Sequence, residues 1–252
     1  MQFVDTHCHI HEDSYAFDAD ETIARATDAG VSKLIVVGTS ADDSEKTVAF
    51  AATRENVWAS IGLHPHDAKF GEEAFKTLQN LAASPKIVAV GECGLDYYYN
   101  HSSKEEQMKA LEFQLQLAKD HNLPMIFHVR DAFDDFWPIF DRFGPIRGVI
   151  HSFTATKAEL EQALARGLYI GLNGIMTFTK DQNQLDAAKA VPLEKLILET
   201  DAPFLTPVPV RGTVNEPKNV VLTAEFLSNL RGEELGTLAK QTTQNAQQLF
   251  GI

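Results

Sequence analysis

The stretch Lys86–Arg130 reads KIVAVGECGLDYYYNHSSKEEQMKALEFQLQLAKDHNLPMIFHVR and contains one complete strand–helix–strand unit. It opens and closes with short apolar runs, Lys86–Val90 and Pro124–Phe127, which predict two strands. Between them, residues 103–121 carry apolar side chains at three- and four-residue spacing, and Ser103-Lys-Glu-Glu106 is a capping-box pattern that predicts a helix start. Two strands joined by one helix are typical of a parallel sheet with crossover connections.

The same unit recurs along the whole chain. Strands are predicted at 3–6, 33–37, 57–61, 86–90, 124–127, 147–150, 168–171 and 195–198. Helices are predicted at 19–29, 41–55, 72–83, 103–121, 133–143, 156–166, 181–190, 218–231 and 233–250. Eight such units in 252 residues predict an α/β protein, a single (β/α)8 TIM barrel over residues 1–252. Neither G-x-G-x-x-G nor G-x-x-x-x-G-K-[ST], which an open doubly wound sheet often carries, is present.

Composition narrows the class further. Hydrophobic residues are 44% of the chain, which is enough for a sizeable core and excludes a largely disordered protein. The net charge of −13 excludes a generic basic coat for nucleic acid. The chain has no run of 18 apolar residues, so no membrane span is predicted, and the N-terminus lacks a secretory pattern. With only Cys8 and Cys93, the chain is expected to be a reduced, cytoplasmic protein in which both thiols are packing residues.

Polar residues cluster at the carboxyl ends of the predicted strands, which form the active-site face of a barrel. Six of the nine histidines lie there, and His11, His101 and His121 are expected on the surface. The strand-end residues are His7, His9, His64, His66, Glu92, His128, His151 and Asp201.

This residue set predicts a metal site. His7 and His9 are two apart on a strand, so their side chains point the same way. Glu92, His128, His151 and Asp201 converge from four other strands if the barrel closes. Imidazoles with carboxylates suit one or two divalent ions such as Zn²⁺ or Mn²⁺. Glu92 is placed to bridge two ions about 3.5–4 Å apart.

Each assignment has a structural alternative. His7 and His9 could cap neighbouring loops, and Glu92 could pair with Arg130. Asp201 could be a helix N-cap.

Two further groups also leave alternatives open. One of His64 and His66 is expected to line the substrate pocket, whereas His66 beside a proline could be a turn residue. Tyr97, Tyr98 and Tyr99 could stack on a base or pack against the barrel rim.

Together these motifs resemble the TatD-type metal-dependent deoxyribonucleases, within the wider amidohydrolase-like metal barrels. The resemblance runs essentially end to end, and five motifs in one order make it specific. The matching segments are Phe3–His9, Gly62–His66, Gly91–Asp96, Pro124–Arg130, Leu198–Pro203, and Pro209–Gly212 with Asn215–Pro217.

The resemblance implies two divalent metal ions per chain, whether Zn²⁺, Mn²⁺ or Mg²⁺. It implies that His7 and His9 bind one ion, with Asp201 close to it. It implies that His128 and His151 hold the second ion.

The resemblance also implies that Glu92 bridges the two ions and is therefore catalytic. The implied reaction is hydrolysis of phosphodiester bonds in DNA, often 3′-to-5′ trimming of single strands. Two positions depart from the family pattern, His11 and Ser152, and neither is an expected ligand. The family also contains members resembling D-aminoacyl-tRNA deacylases.

A mechanism follows as a hypothesis. Two ions would acidify a water and neutralise charge on the phosphodiester. Asp201 is expected to orient this water and take its proton. His64 and Arg211 are expected to bind phosphate oxygens, with Arg130 and Lys218 as further substrate-binding candidates. Arg130 could instead orient the bridging carboxylate.

Other functions fit the same residues. One is hydrolysis of small amides, esters or phosphate esters, for which related barrels often use a carboxylated lysine where this chain has Glu92. Another is a D-aminoacyl-tRNA deacylase, and a third is a non-catalytic binding module, which the complete ligand set disfavours. For the nuclease, an acidic protein with a local cationic site suits binding of a DNA strand end. It does not suit a wrapped duplex, which needs many phosphate contacts. A monomer is the default expectation.

Overall fold

Parallel strands alternate with helices in the computed structural model, which describes residues 1–99 and 101–252. Within these residues the eight strands are hydrogen-bonded in chain order, which confirms the predicted (β/α)8 barrel. The strands are β1 Phe3–Cys8, β2 Val31–Val37, β3 Val57–Ile61, β4 Ile87–Asp96, β5 Met125–Arg130, β6 Gly148–Ile150, β7 Tyr169–Leu172 and β8 Leu196–Leu198. The α-helices are α1 Ala19–Asp28, α2 Ala41–Ala52, α3 Gly71–Leu81, α4 Lys104–Asp120, α5 Phe133–Arg142, α6 Lys157–Ala165, α7 Gln182–Ala190, α8 Val220–Arg231 and α9 Leu235–Phe250.

The chain divides into two compact units. Unit 1 contains Met1–Val36 with Ser152–Ile252, and unit 2 contains Val37–His151. The assignment of residues 1–252 to one domain stays a prediction.

In unit 1, β1 pairs in parallel with β2, and β7 pairs in parallel with β8. An isolated parallel bridge joins Cys8 to Ala202, just beyond β8. All six residues of β1 are buried. This strand runs two residues further than predicted, so that His7 lies on the strand and His9 directly follows it.

In unit 2, β3, β4, β5 and β6 form consecutive parallel pairs. β4 continues to Asp96, six residues beyond its predicted end at Val90, and β5 continues to Arg130. The apolar-run criterion stops at the first polar residue, but here the ladder continues through polar residues. Gly94 permits this pairing, because a Cβ there would lie 1.9 Å from the His128 carbonyl oxygen.

The helices follow local signals. Ser103 and Glu106 form the predicted capping box at the start of α4. Phe136 and Trp137 of α5 are buried and belong to the core. Cys8 and Cys93 are buried free thiols. None of the described helices has the length and apolar character that a membrane crossing requires.

Candidate metal centre

Unit 1 brings two imidazoles and one carboxylate together at the ends of β1 and β8. His7 Nε2 and His9 Nε2 lie 3.2 Å apart. Asp201 Oδ1 lies 3.5 Å from His7 Nε2 and 3.3 Å from His9 Nε2. Both histidines are buried, whereas the Asp201 side chain keeps 15% of its surface exposed. We call these three residues the Asp201 cluster.

Backbone pairing holds the Asp201 cluster in place. The Asp201 amide donates to the His7 carbonyl at 2.8 Å, and the His9 amide donates to the Ala202 carbonyl at 2.6 Å. Asp201 adopts a left-handed backbone conformation with φ of +57°. No described helix begins at Asp201, so the N-cap alternative is wrong.

Asp5 anchors the loop that carries Asp201. Its carboxylate accepts hydrogen bonds from the Thr200 amide at 2.9 Å and the Thr200 hydroxyl at 2.5 Å. Complete burial raises the pKa of Asp5 to about 8, and these hydrogen bonds oppose the shift. The contact joins positions 195 residues apart in sequence, and it ties β1 to the loop that carries Asp201.

Asn215 holds the same loop from its other side. Its side-chain amide donates to the Thr200 carbonyl at 3.0 Å and the Phe204 carbonyl at 2.6 Å. Its side-chain oxygen accepts from Asn219 at 2.9 Å. Asn215 is fully buried, so these partners replace water at every one of those atoms.

Unit 2 arranges three imidazoles around a single carboxylate oxygen, Glu92 Oε1. His128 Nδ1 lies 2.9 Å from this oxygen, His151 Nε2 lies 3.4 Å away and His64 Nε2 lies 3.5 Å away. Glu92 is 4% exposed. We call these four residues the Glu92 cluster.

Close backbone packing positions the Glu92 cluster. A Cβ at Gly62 would lie 2.6 Å from the Glu92 amide nitrogen, so glycine lets β3 and β4 approach. Gln114 of α4 accepts from the Leu63 amide at 2.8 Å and donates to the Leu63 carbonyl at 3.0 Å, directly before His64. The strand end is therefore fixed from both sides.

Asp96 extends this cluster outward. Its Oδ2 atom lies 3.0 Å from His128 Nε2 and 3.0 Å from His66 Nε2. Its Oδ1 atom accepts from the amides of Tyr98 and Tyr99 at 2.9 and 3.0 Å. Burial opposes ionisation, but the hydrogen bonds from His128, Tyr99 and His66 outweigh it and hold the pKa of Asp96 well below its usual range.

The histidines of the Glu92 cluster differ in their charge preference. Burial lowers the pKa of His64 to about 4, although Glu92 partly offsets the shift. Burial also disfavours the charged form of His128, but its contacts with Asp96 and Glu92 outweigh that effect and raise the pKa of His128.

The structure places the predicted substrate-binding residues in three settings. Arg211 donates to the Thr206 carbonyl at 2.8 Å, and its guanidinium lies 3.8 Å from the Phe178 ring centroid. Lys218 forms an ion pair with Glu216 at 2.7 Å. None of these described contacts reaches the Asp201 cluster.

Arg130, the third of these residues, lies 3.9 Å from the Tyr98 ring centroid. Within residues 1–99 and 101–252, no carboxylate forms an ion pair with Arg130. The alternative in which Arg130 pairs with Glu92 is therefore wrong. The reason is that Arg130 sits at the exposed end of β5, against the tyrosines that follow β4.

Two buried polar residues near the strand ends were not singled out from sequence. Glu199 is buried and accepts from the Ser152 amide at 2.7 Å and from Asn173 at 3.1 Å. His11, expected on the surface, is only 9% exposed, and its ring centroid lies 6.2 Å from that of His9. His101 and His121 are exposed as expected. Glu199 lies within a quoted motif, which is a usable signal, but its role depends on Ser152 from another strand end.

Both clusters have the chemistry of a divalent-metal site. In each of two sets, one ligand atom from every residue lies within 4.8 Å of the others: His7, His9 and Asp201, and His64, Glu92 and His128. Imidazole nitrogens with carboxylate oxygens are the usual ligands of Zn²⁺, Mn²⁺ and related ions in hydrolases. The donor sets therefore fit divalent metal ions.

Comparisons with known proteins match the chain to nucleases and metal-dependent hydrolases. A family model described as TatD related DNase matches residues 4–251. The chain is 36% identical to an uncharacterized metal-dependent hydrolase, YabD, of Bacillus subtilis, and the match covers 98% of both chains. It is 37% identical to the 3′-5′ ssDNA/RNA exonuclease TatD of Escherichia coli K12, over 94% of this chain and 95% of that protein. The crystal structure of YjjV, a TatD homolog from Escherichia coli K12, superposes with a TM-score of 0.93 at 31% identity, over 99% of this chain and 98% of that chain.

Proposed function

The chain belongs to the TatD-related DNase family, and on this premise we propose that it is a divalent-metal-dependent hydrolase that cleaves phosphodiester bonds in single-stranded DNA. The observation that carries the proposal is the packing of three imidazole nitrogens within 3.5 Å of Glu92 Oε1. A buried carboxylate oxygen among three imidazoles suits a shared cation better than a set of neutral hydrogen bonds.

Two ions per chain are proposed. His7, His9 and Asp201 would hold one ion, whereas His128 and His151 would hold the second. The imidazole and carboxylate donors of the two clusters support this proposal.

Glu92 is proposed to bridge the two ions. His128 and His151, whose nitrogens lie 2.9 and 3.4 Å from its Oε1 atom, support metal binding by Glu92, and the bridge itself is proposed from the family resemblance. His64, which is not in the ligand set that the family resemblance implies, is proposed to contact a phosphate oxygen.

The chain's own residues then have distinct tasks. The ions, when bound, supply positive charge to the phosphodiester and acidify a nearby water. Asp201 is proposed to orient the attacking water and accept its proton, because its side chain is the most exposed of the Asp201 cluster. Arg211 and Lys218 are proposed to bind phosphate oxygens further along the strand, with Lys218 exchanging its Glu216 partner for phosphate.

We further propose that the enzyme acts at the end of a strand, as a cytoplasmic monomer. The net charge of −13 supports a local cationic site for one strand end, because an extended duplex would require many basic contacts.

A metal-dependent cleavage assay tests the function. Protein stripped with a chelator is incubated with a single-stranded DNA oligonucleotide labelled at its 5′ end, and with the matching RNA. Mg²⁺, Mn²⁺ or Zn²⁺ is then added back separately. We expect progressive shortening from the 3′ end with at least one ion. Intact oligonucleotides with every ion, in protein that hydrolyses a small phosphodiester, would favour the small-molecule hydrolase instead.

A further inference from the structure

Two tyrosines directly after β4 are exposed beside the Glu92 cluster. Tyr98 is 57% exposed and Tyr99 is 42% exposed. Their ring centroids are 4.8 Å apart and nearly perpendicular. The Arg130 guanidinium lies 3.9 Å from the Tyr98 centroid and 5.0 Å from the Tyr99 centroid. We call Tyr98, Tyr99 and Arg130 the tyrosine ledge.

The exposure of Tyr98 and Tyr99 distinguishes them from tyrosines that only pack against the rim of the barrel. Neighbouring Tyr97 is only partly exposed, its hydroxyl donates to Asp135 at 2.9 Å, and Lys104 lies 3.7 Å from its ring centroid. Tyr97 therefore has the contacts of a structural residue. Tyr98 is instead 57% exposed, and a large aromatic side chain gains little stability from such a position.

The tyrosine ledge is joined to the Glu92 cluster through Asp96. One oxygen of Asp96 accepts from the Tyr98 and Tyr99 amides, and the other lies 3.0 Å from His128 Nε2. The ring of His66, which contacts the same Asp96 oxygen, lies 5.3 Å from the Tyr99 centroid. Hydrogen bonds and a ring contact therefore connect the tyrosine ledge to the Glu92 cluster.

The charge of the tyrosine ledge suits a nucleic acid. Arg130 forms no ion pair with a carboxylate in the described part of the chain, so its guanidinium is available to a phosphate. A cation held against an aromatic ring is a common element of surfaces that bind single strands, where bases stack on the rings and the cation follows the backbone.

We propose that the tyrosine ledge is a nucleobase-binding subsite. One unpaired base of the strand stacks on the Tyr98 ring, Tyr99 borders that base edge-on, and Arg130 contacts the adjacent phosphate. The inference rests on the proposed nuclease function and specifies how its substrate is held. Because every base has a stacking face, the subsite favours single strands over duplexes without selecting a sequence.

Tyr98→Leu and Tyr98→Phe test the subsite in the full-length, metal-loaded enzyme. We expect Tyr98→Leu to raise KM for a 12-nucleotide single strand by about 5- to 150-fold with little change in kcat, because one stacked base is lost. Tyr98→Phe keeps the ring and is expected to retain a KM close to that of the wild type.

Phe50→Leu is the matched control. Phe50 is near the end of α2, and Arg54 lies 3.8 Å from its ring centroid, so this pair has the same chemistry as the tyrosine ledge. Phe50 precedes β3 in the chain, whereas the candidate site lies at the carboxyl ends of the strands. Phe50→Leu is expected to leave KM unchanged, and thermal unfolding of each variant shows whether it is folded.

Oligonucleotides with one abasic position assign the effect to a base. For the wild type, moving the abasic position along the strand is expected to raise KM at one position in particular. Tyr98→Leu should cancel that extra loss, because the base and the ring act on each other. An unchanged KM in folded Tyr98→Leu would overturn the subsite. So would a rise in KM from Tyr98→Leu that is equally large with a fully abasic strand and with the normal strand.

Failure of the proposed function gives a different result. In that case the wild type leaves every oligonucleotide intact. The tyrosine ledge is then tested by fluorescence anisotropy of a labelled 12-nucleotide strand with the same variants. Weaker binding in Tyr98→Leu alone would support the subsite, and equal binding in all variants would reject it.

Discussion

Asp96 and His128 are in direct contact, with Oδ2 of the carboxylate 3.0 Å from Nε2 of the imidazole. The other nitrogen of the same ring lies 2.9 Å from Glu92 Oε1. Both nitrogens of His128 are therefore held by carboxylates, and the ring has a fixed orientation. Carboxylates behind histidines of this kind commonly set the orientation and basicity of a metal ligand.

Replacing Asp96 tests this positioning role. Asp96→Asn keeps the shape of the side chain and removes its charge, and we expect about 10- to 100-fold weaker metal affinity because His128 loses its orienting partner. Calorimetric titration with Mn²⁺ measures this directly. Asp135→Asn, which alters the partner of Tyr97, is the control. Excess metal should restore part of the activity of Asp96→Asn, whereas loss through misfolding would not respond to metal.

Asp201→Asn tests the proposed proton acceptor. The amide cannot take a proton from water, so kcat is expected to fall by at least about a hundredfold with the fold retained. Single-turnover cleavage and circular dichroism provide the two measurements. His128→Ala is expected to abolish turnover as well. Full nuclease activity in purified Asp201→Asn would remove this residue from the mechanism.

Asn215 is expected to matter for stability. Asn215→Ala deletes its donors to the Thr200 and Phe204 carbonyls, which are left in a buried site. We expect the free energy of unfolding to fall by about 1–3 kcal/mol. Urea denaturation measures this change. The exposed Asn229, whose amide donates within α8, provides a control substitution to Ala that should cost less.

Glu216 makes stability depend on pH. Burial opposes its ionisation, but hydrogen bonds from Lys218 and Arg25 outweigh burial and lower the pKa of Glu216 below 4.5. A lowered carboxylate pKa contributes stability above the unfolded-state pKa, and this is lost as the pH falls through the folded-state pKa. Glu216→Gln should therefore be less stable than the wild type at pH 7.

Urea denaturation at several pH values checks this sign. The difference between wild type and Glu216→Gln is expected to be constant near neutral pH and to shrink below about pH 4.5. A difference that grew on acidification would contradict the prediction.

Metal should stabilise the folded chain. An ion that binds only the native state at 100 times its Kd adds about 2.7 kcal/mol to the free energy of unfolding. Chelation should therefore lower Tm, and adding Mn²⁺ or Zn²⁺ back should restore it. The rise should be smaller in His128→Ala. Equal Tm values with and without metal would argue against binding by these clusters.

Sequence alone predicted the elements well and the contacts less well. The strands and helices were placed within a few residues, because apolar periodicity and the Ser103 capping box are local signals. The carboxyl end of β4 was not predicted correctly, because the strand pairing continues through polar residues as far as Asp96. The Asp5–Thr200 hydrogen bonds could not be predicted, since the partners are 195 residues apart and meet only in the folded chain.

For the candidate site too, sequence predicted positions better than contacts. Strand-end positions identified the residues that converge, including Glu92 and His151. They did not show that His64 shares the same carboxylate oxygen, or that His11 is buried. Both facts depend on the paths of the loops beyond the strands, where residue spacing in the sequence does not indicate side-chain positions.

The four partners of Asp96 limit how this protein can diversify. Two loop amides and two imidazoles share one carboxylate, so a length change between Asp96 and Tyr99 would disturb the ring of His128 as well. Changes in substrate preference are therefore expected to come from substitutions of exposed side chains in this loop and not from changes in its length between Asp96 and Tyr99.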